Sequence, residues 1–281
     1  LPQASFTDTT AAPGTRYSYQ VRANDPDGHV GALSAQVQIT TPTAAQAYPA
    51  AVRADGAETY WRLGDSFAAA ADSSATNRMG LPFGTPGIGA ATGALSGDTN
   101  RAATFDGTDD VVYAQQRIAA PKTFSAEAWF RTDTTTGGKI FGFGNGQPRR
   151  NNNAGLSSSY DRHVYMTNGG NLVFGVWTGS AQTVVSPGTY NDNVWHHVVA
   201  TQGADGMVLY VDGLPVGANS VTGNEAITGS WRIGGDQLGS TWPQMPGSRY
   251  FKGSIDEFAV YPTALSEART QAHYVAGGGI L

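Results

Sequence analysis

Two stretches of this 281-residue chain concentrate side chains able to hold a ligand. Residues 144–162, GNGQPRRNNNAGLSSSYDR, carry Arg149, Arg150, Asn151, Asn152, Tyr160 and Asp161. Residues 235–250, GDQLGSTWPQMPGSRY, carry Asp236, Gln237, Trp242, Arg249 and Tyr250. A flat aromatic ring offers a face for sugar C–H groups, and polar groups around it form oriented hydrogen bonds. Both stretches follow strand-like segments without continuing their alternation, which places them in surface loops. Trp242, beside Pro243, is the tryptophan least accounted for by packing. Trp61, Trp129 and Trp195 fall on strand-like segments and read as core, while Trp177 stands at a strand end. The expected ligand-binding set is Trp242, Arg249, Tyr250, Asp236, Arg149, Arg150, Asn151 and Tyr160. The bland alternative is that both loops are solvated connections.

Residues suited to catalysis are poorly placed for it. Asp256-Glu257 and His196-His197 are adjacent pairs, and neighbours on a strand point to opposite faces. Asp109-Asp110 falls in a turn. No Ser/His/Asp arrangement and no Gly-rich phosphate loop opening a helix is legible. The chain has no cysteine, which excludes thiol catalysis, disulfides and Cys-ligated zinc.

The elements that must position these groups are strands. There are 37 glycines against 14% charged residues, a profile of short strands and tight turns. In residues 193–217, NVWHHVVATQGADGMVLYVDGLPVG, Val194, His196, Val198 and Ala200 alternate with Trp195, His197, Val199 and Thr201. Turn clusters at 202–206 and at Asp212-Gly213 fold this stretch into hairpins apolar on both faces, as central strands are. Further strands are expected near 58–63, 102–113, 124–130, 140–144, 164–166, 171–177, 183–185, 230–233 and 254–261. Ser266 caps one helix over 266–275. The Gly/Ala/Ser-rich stretch 64–100 carries few strand signals. The formal net charge is −5 with no Lys/Arg run, which argues against nucleic acid and anionic membrane surfaces as partners. No apolar run approaches the ~20 residues of a membrane span.

Five segments together resemble the laminin-G-like jelly-roll family of the concanavalin A-like lectin/glucanase fold. They are TFDGTDDVVY (104–113), FSAEAWFR (124–131), VWHHVVATQGADGMVLYVDGLPVG (194–217), WRIGGD (231–236) and FKGSIDEFAVYPTALSEARTQAHY (251–274). Separately, PGTRYSYQVRANDPDG and SAQVQITTP resemble the last strands of a fibronectin type III domain, with Tyr17 where its tyrosine corner falls. The implied fold is all-β: a two-sheet jelly-roll sandwich over residues 49–278, a linker at 44–48, and the C-terminal half of a fibronectin type III domain at 1–43. The front half of that domain is expected to be missing, as in a truncated or processed chain.

Glucanases of this fold carry a Glu-x-Asp-x-x-Glu strand, which this sequence lacks. The family often holds a structural calcium where its first and last strands meet. The matching positions are Asp72 and Asp256, with loop carbonyls and Asn77 completing the shell. The alternative there is that Asp72 ends a turn and Asp256 binds backbone amides. The resemblance implies a non-catalytic, secreted or cell-surface bacterial module that binds a glycan or surface polymer, beside other domains of a larger protein. A structural or protein-interaction module is the second reading and a glycoside hydrolase the third.

Overall fold

The computed structural model describes residues 8, 11–12, 14–65, 69–147 and 155–281. In chain order its elements are β1 (Arg16–Tyr19), β2 (Val37–Thr40), α1 (Ala44–Ala54), β3 (Thr59–Trp61), β4 (Gly80–Phe83), β5 (Gly87–Thr92), β6 (Arg101–Asp106) and β7 (Val111–Ala114). β8 (Ile118–Ala119), β9 (Phe124–Arg131), β10 (Gly138–Gly144), β11 (Tyr160–Met166), β12 (Asn171–Trp177) and β13 (Ala181–Thr189) follow. The chain closes with β14 (His196–Gly203), β15 (Gly206–Val211), β16 (Leu214–Asn219), β17 (Thr228–Ile233), β18 (Lys252–Tyr261) and α2 (Glu267–Ala276).

Two antiparallel sheets of eight strands make a sandwich. One runs β16-β15-β14-β9-β18-β6-β5, with β3 beside β18; the other runs β13-β12-β11-β10-β17-β7-β4, with β8 beside β17. Alternation explains the layers. Phe124, Ala126, Ala128 and Phe130 of β9 face inward, as do Ile255, Phe258 and Val260 of β18, and they meet Phe141, Phe143, Val164, Phe174 and Trp231 of the opposite sheet. β4 and β5, unmarked in the sequence, are the end strands of the two sheets, where Pro82 and glycines are tolerated.

The outer face of the first sheet is sealed by helices. The expected linker is instead the first half of α1, and Tyr48, Val52, Tyr60, Trp129, Tyr261 and Leu265 form a second core beneath it. Ser266 does cap α2, its side chain accepting from the Arg269 N–H. The outer face of the second sheet is covered by the loop after β17. Trp195 lies just before β14 and is half-buried, with the Arg131 guanidinium 5.1 Å from its ring, rather than in the core.

The hairpin of β1 and β2 pairs Tyr17 with Ile39 and Tyr19 with Val37, which gives it one apolar face. Val21, Val37 and Ile39 on that face are 73%, 61% and 55% exposed.

Candidate functional site

The outer face of the second sheet is built for close cover. Lys139, Gly142 and Gly144 of β10, His163 and Tyr165 of β11, Val173, Gly175 and Trp177 of β12, and Arg232 of β17 point away from the main core. A Cβ on Gly175 would stand 2.6 Å from Cζ3 of Trp242 and 2.8 Å from Nε2 of His163, so only glycine lets the indole settle there. Gly144 does the same for Ser157 and Asp236.

Trp242 is thereby only 3% exposed. It is not the open platform the sequence suggested. It packs with Tyr165, Val173 and Leu238, its ring centroid 4.1 Å from that of His163, 5.8 Å from Trp177 and 6.2 Å from Tyr160. The Tyr165 hydroxyl donates to the Pro243 carbonyl, which fixes the loop. Trp242 is the buried backing of a shelf whose half-buried outer members are Tyr160 and Trp177.

Charged groups frame the shelf. Lys139 is fully buried, donates from Nζ to the Gln237 carbonyl at 2.7 Å, and lies 4.5 Å from the centre of the Tyr160 ring. Burial pulls its pKa down to about 8. Asp236 is buried, not displayed: one oxygen accepts from Arg232 at 3.0 Å and from the Ser157 N–H at 2.9 Å, and Oδ2 has no partner. Burial and the Lys139 charge push His163 well below the ordinary imidazole range, and neither of its ring nitrogens has a hydrogen-bond partner. Arg249 is exposed and donates to the Gln237 amide oxygen, and half-buried Tyr250 sits against Gly235. The Gly239 N–H donates to the Tyr160 hydroxyl at 2.8 Å.

The fold therefore gathers five sequence-selected residues, Tyr160, Asp236, Trp242, Arg249 and Tyr250, at one place. Arg149, Arg150 and Asn151 lie outside the described residues. Lys139, His163, Gly175 and Arg232 went unselected; alternation along DRHVYM and SWRI already turns His163 and Arg232 outward, whereas Lys139, two residues before inward Phe141, reaches that face only through a register shift in β10 that simple alternation does not foresee.

The residues considered for calcium are engaged with the chain itself. Asp72 Oδ1 accepts from the Tyr60 and Ser74 N–H groups, and Oδ2 from the Ser74 and Thr76 hydroxyls and the Arg78 N–H. Asn77 adopts φ 58°, shaping that turn. Both Asp72 oxygens are thus engaged in shaping this turn. Asp256 accepts from the Ala94 and Glu257 N–H groups, at 2.8 and 3.0 Å, and burial raises its pKa well above the carboxylate range. It has no cationic partner within ion-pair distance among the described residues. The acidic triad Asp106, Asp109 and Asp110 includes oxygens used by the Thr108, Thr85 and Asp106 N–H groups to fold its turn.

Asp256 and Glu257 correct the simple alternation rule. Glu257 adopts φ 51° in a β-bulge, so Ile255 and Phe258 face inward while both carboxylates lie on the outer face. Both are buried, Glu257 against the Tyr60 hydroxyl and Arg62. His196 and His197 do diverge. His196 pairs with Asp212 at 2.7 Å, and His197 with Glu127 at 3.1 Å beneath the helices.

A family model for the concanavalin A-like lectin/glucanases superfamily, of the laminin G type, matches residues 105–270. The chain belongs to this superfamily. A comparison with curated proteins finds no match. Among solved structures, domain 4 of AbnA, a GH43 extracellular arabinanase from Geobacillus stearothermophilus in complex with arabinotriose, is similar over 77% of this chain and 97% of that chain, at 14% identity and a TM-score of 0.50. A botulinum neurotoxin type C chain, whose cell entry is described as dependent on two ganglioside molecules, matches at 16% identity and TM-score 0.55, over 80% of this chain and 52% of that one. The receptor-binding domain of botulinum neurotoxin type G matches at 10% identity and TM-score 0.52, over 78% and 51%. The superfamily chain thus spans about half of these toxin chains. At such identities the likeness speaks for the fold. Function has to be argued from the site.

Proposed function

We propose that this superfamily member is a non-catalytic carbohydrate- or surface-polymer-binding module of a larger secreted or surface-displayed protein. Its ligand would lie on the outer face of the second sheet. The observation that carries the reading is the shelf of Tyr160 and Trp177, backed by buried Trp242 and edged by Tyr250, Gln237 and Arg249. Rigid half-exposed rings beside fixed polar groups are what a sugar face requires. The arabinotriose in complex with the arabinanase domain and the gangliosides on which cell entry of the type C toxin depends agree with such a role. The non-catalytic part is supported by the burial of Glu127, Asp256 and Glu257, whose carboxylates do not reach solvent.

A second reading, a protein-interaction module, draws on the exposed apolar face of the β1–β2 hairpin. On this proposal residues 1–43 are the end of a fibronectin type III sandwich.

Binding to a broad polysaccharide panel tests the first reading. Trp177→Ala should abolish binding while the domain stays folded, whereas Trp242→Ala should lose binding together with stability. A folded chain that binds nothing in the panel would move the weight to the interaction reading.

A further inference from the structure

The surroundings of the shelf are basic, although the chain as a whole carries a net charge of −5. Lys139 stands close enough to Arg232 and Arg249 to feel both charges. Arg232 is matched by Asp236 at 3.0 Å. The next carboxylate, Asp161, is paired with Arg162, and Asp109 bears on the far side through Tyr250. Lys139 and Arg249 have no carboxylate within ion-pair distance among the described residues. Lys139 rests on one carbonyl oxygen and the Tyr160 ring, and Arg249 on the Gln237 amide. Two positive charges are therefore left without a counter-ion, one beneath the aromatic shelf and one on its rim.

We propose that the ligand of this site is an acidic glycan, bearing carboxylate or sulfate groups that Arg249 contacts directly. The inference rests on the binding reading given above. The exposed guanidinium presents a planar fork suited to two acceptor oxygens. The Lys139 charge acts from behind the Tyr160 ring in a medium that screens it poorly, so it favours an anion over the shelf without touching it. Neutral His163 adds no charge, and the two buried carboxylates near the shelf among the described residues, Asp236 and Asp161, are already matched by Arg232 and Arg162. A neutral glycan would meet the same rings and leave both charges unanswered.

The test is titration of the whole chain with polygalacturonate, heparin and neutral arabinan, at ~20 mM and ~500 mM NaCl, across which screening lengths shrink several-fold. The acidic polymers should bind and arabinan should bind at least about ten-fold more weakly. High salt should weaken the acidic complexes. Arg249→Gln should lower acidic binding about ten-fold or more without altering the melting temperature, as expected for one charge-assisted contact. Binding of heparin alone would identify sulfate as the recognised group, and of polygalacturonate alone carboxylate. If arabinan binds as tightly as the acidic polymers, and Trp177→Ala weakens every complex while Arg249→Gln weakens none, the acidic preference is wrong and the glycan reading stands. Acidic binding untouched by either variant, or no binding by the folded chain, overturns both.

Discussion

Glu127 offers a severe test of how the helices are held to the sandwich. Its carboxylate lies fully buried on the outer face of β9, accepting from the Tyr261 hydroxyl, from His197 Nε2 at 3.1 Å and from His273 Nδ1 at 3.0 Å. His273 in turn reaches Asp55 at the end of α1 at 2.9 Å, and Arg269 joins at 2.8 Å, so one chain of charges ties β9 and β14 to both helices. Glu127→Gln keeps the shape and removes the charge. Removing one partner of a buried pair costs about 3–5 kcal/mol, which for a domain of this size is a loss of roughly 6–20 °C in melting temperature. Burial would lower the His273 pKa, but the charges of Glu127 and Asp55 outweigh burial and Arg269 and raise it. A raised imidazole stabilises the fold fully below about pH 6.5 and loses that contribution as pH rises through its folded value. Burial would raise Glu127, but His273 and His197 hold it well below the carboxylate range, so its contribution is present above about pH 4.3 and fades only in stronger acid. Glu257, raised by burial to about 7 against the opposing pull of Arg62, contributes stability that is fully present below about pH 4.3 and is lost as pH rises through about 7. Stability should therefore be greatest near about pH 4.3, fall as pH rises toward about 7, and fall further as pH passes through the raised His273 value, this last loss being smaller in Glu127→Gln. Thermal melts across pH decide it. A variant within about 1 kcal/mol of wild type and with the same alkaline slope would refute the reasoning.

Two further outcomes are expected. Gly175→Ala drives a methyl group into Trp242 at 2.6 Å, and overpacking of this kind costs about 1–3 kcal/mol. The variant should melt lower and weaken glycan binding through the displaced shelf, and unchanged intrinsic tryptophan fluorescence would contradict the displacement. Calcium, proposed between Asp72 and Asp256, should raise the melting temperature relative to chelator, an effect Asp256→Asn removes; coincident melts would dispose of the metal.

Much of this fold was legible because alternation is local. In FSAEAWFR and SIDEFAVY the inward phenylalanines and valines mark themselves at every second residue, and Ser266 announces α2. β4 and β5 left no such mark. They are end strands, where packing demands little and glycine and Pro82 survive. Pro49 and a run of alanines hid the first half of α1, whose reason to exist is the Tyr48 and Val52 burial that only the folded sheet provides. The bulge at Glu257 defeated the face assignment because one left-handed residue resets the count. Tyr160, Asp236, Trp242, Arg249 and Tyr250 were identified by residue type and loop position. Whether Trp242 was platform or backing depended on Gly175, 67 residues earlier on another strand, and no local pattern records that contact.

The two outer faces of the sandwich solve the same problem in opposite ways. Each sheet presents polar and aromatic side chains away from the shared core, and each must be covered. Under the helices the buried charges are mainly carboxylates, Glu127, Asp256 and Glu257, and Glu127 and Glu257 are answered by His197, His273 and Arg62. Under the loop after β17 the buried charges are Lys139 and Arg232 against Asp236, and the cover is a tryptophan inserted over a glycine. Helices close their face down to Tyr48 and His273. A loop closes only where Trp242 reaches, leaving Tyr160, Trp177 and Tyr250 half-open and the Lys139 charge unmatched. That asymmetry is the physical reason for placing the ligand on the loop side: there the fold has spent its anchoring on a rigid backing and left aromatic surface and positive charge in excess.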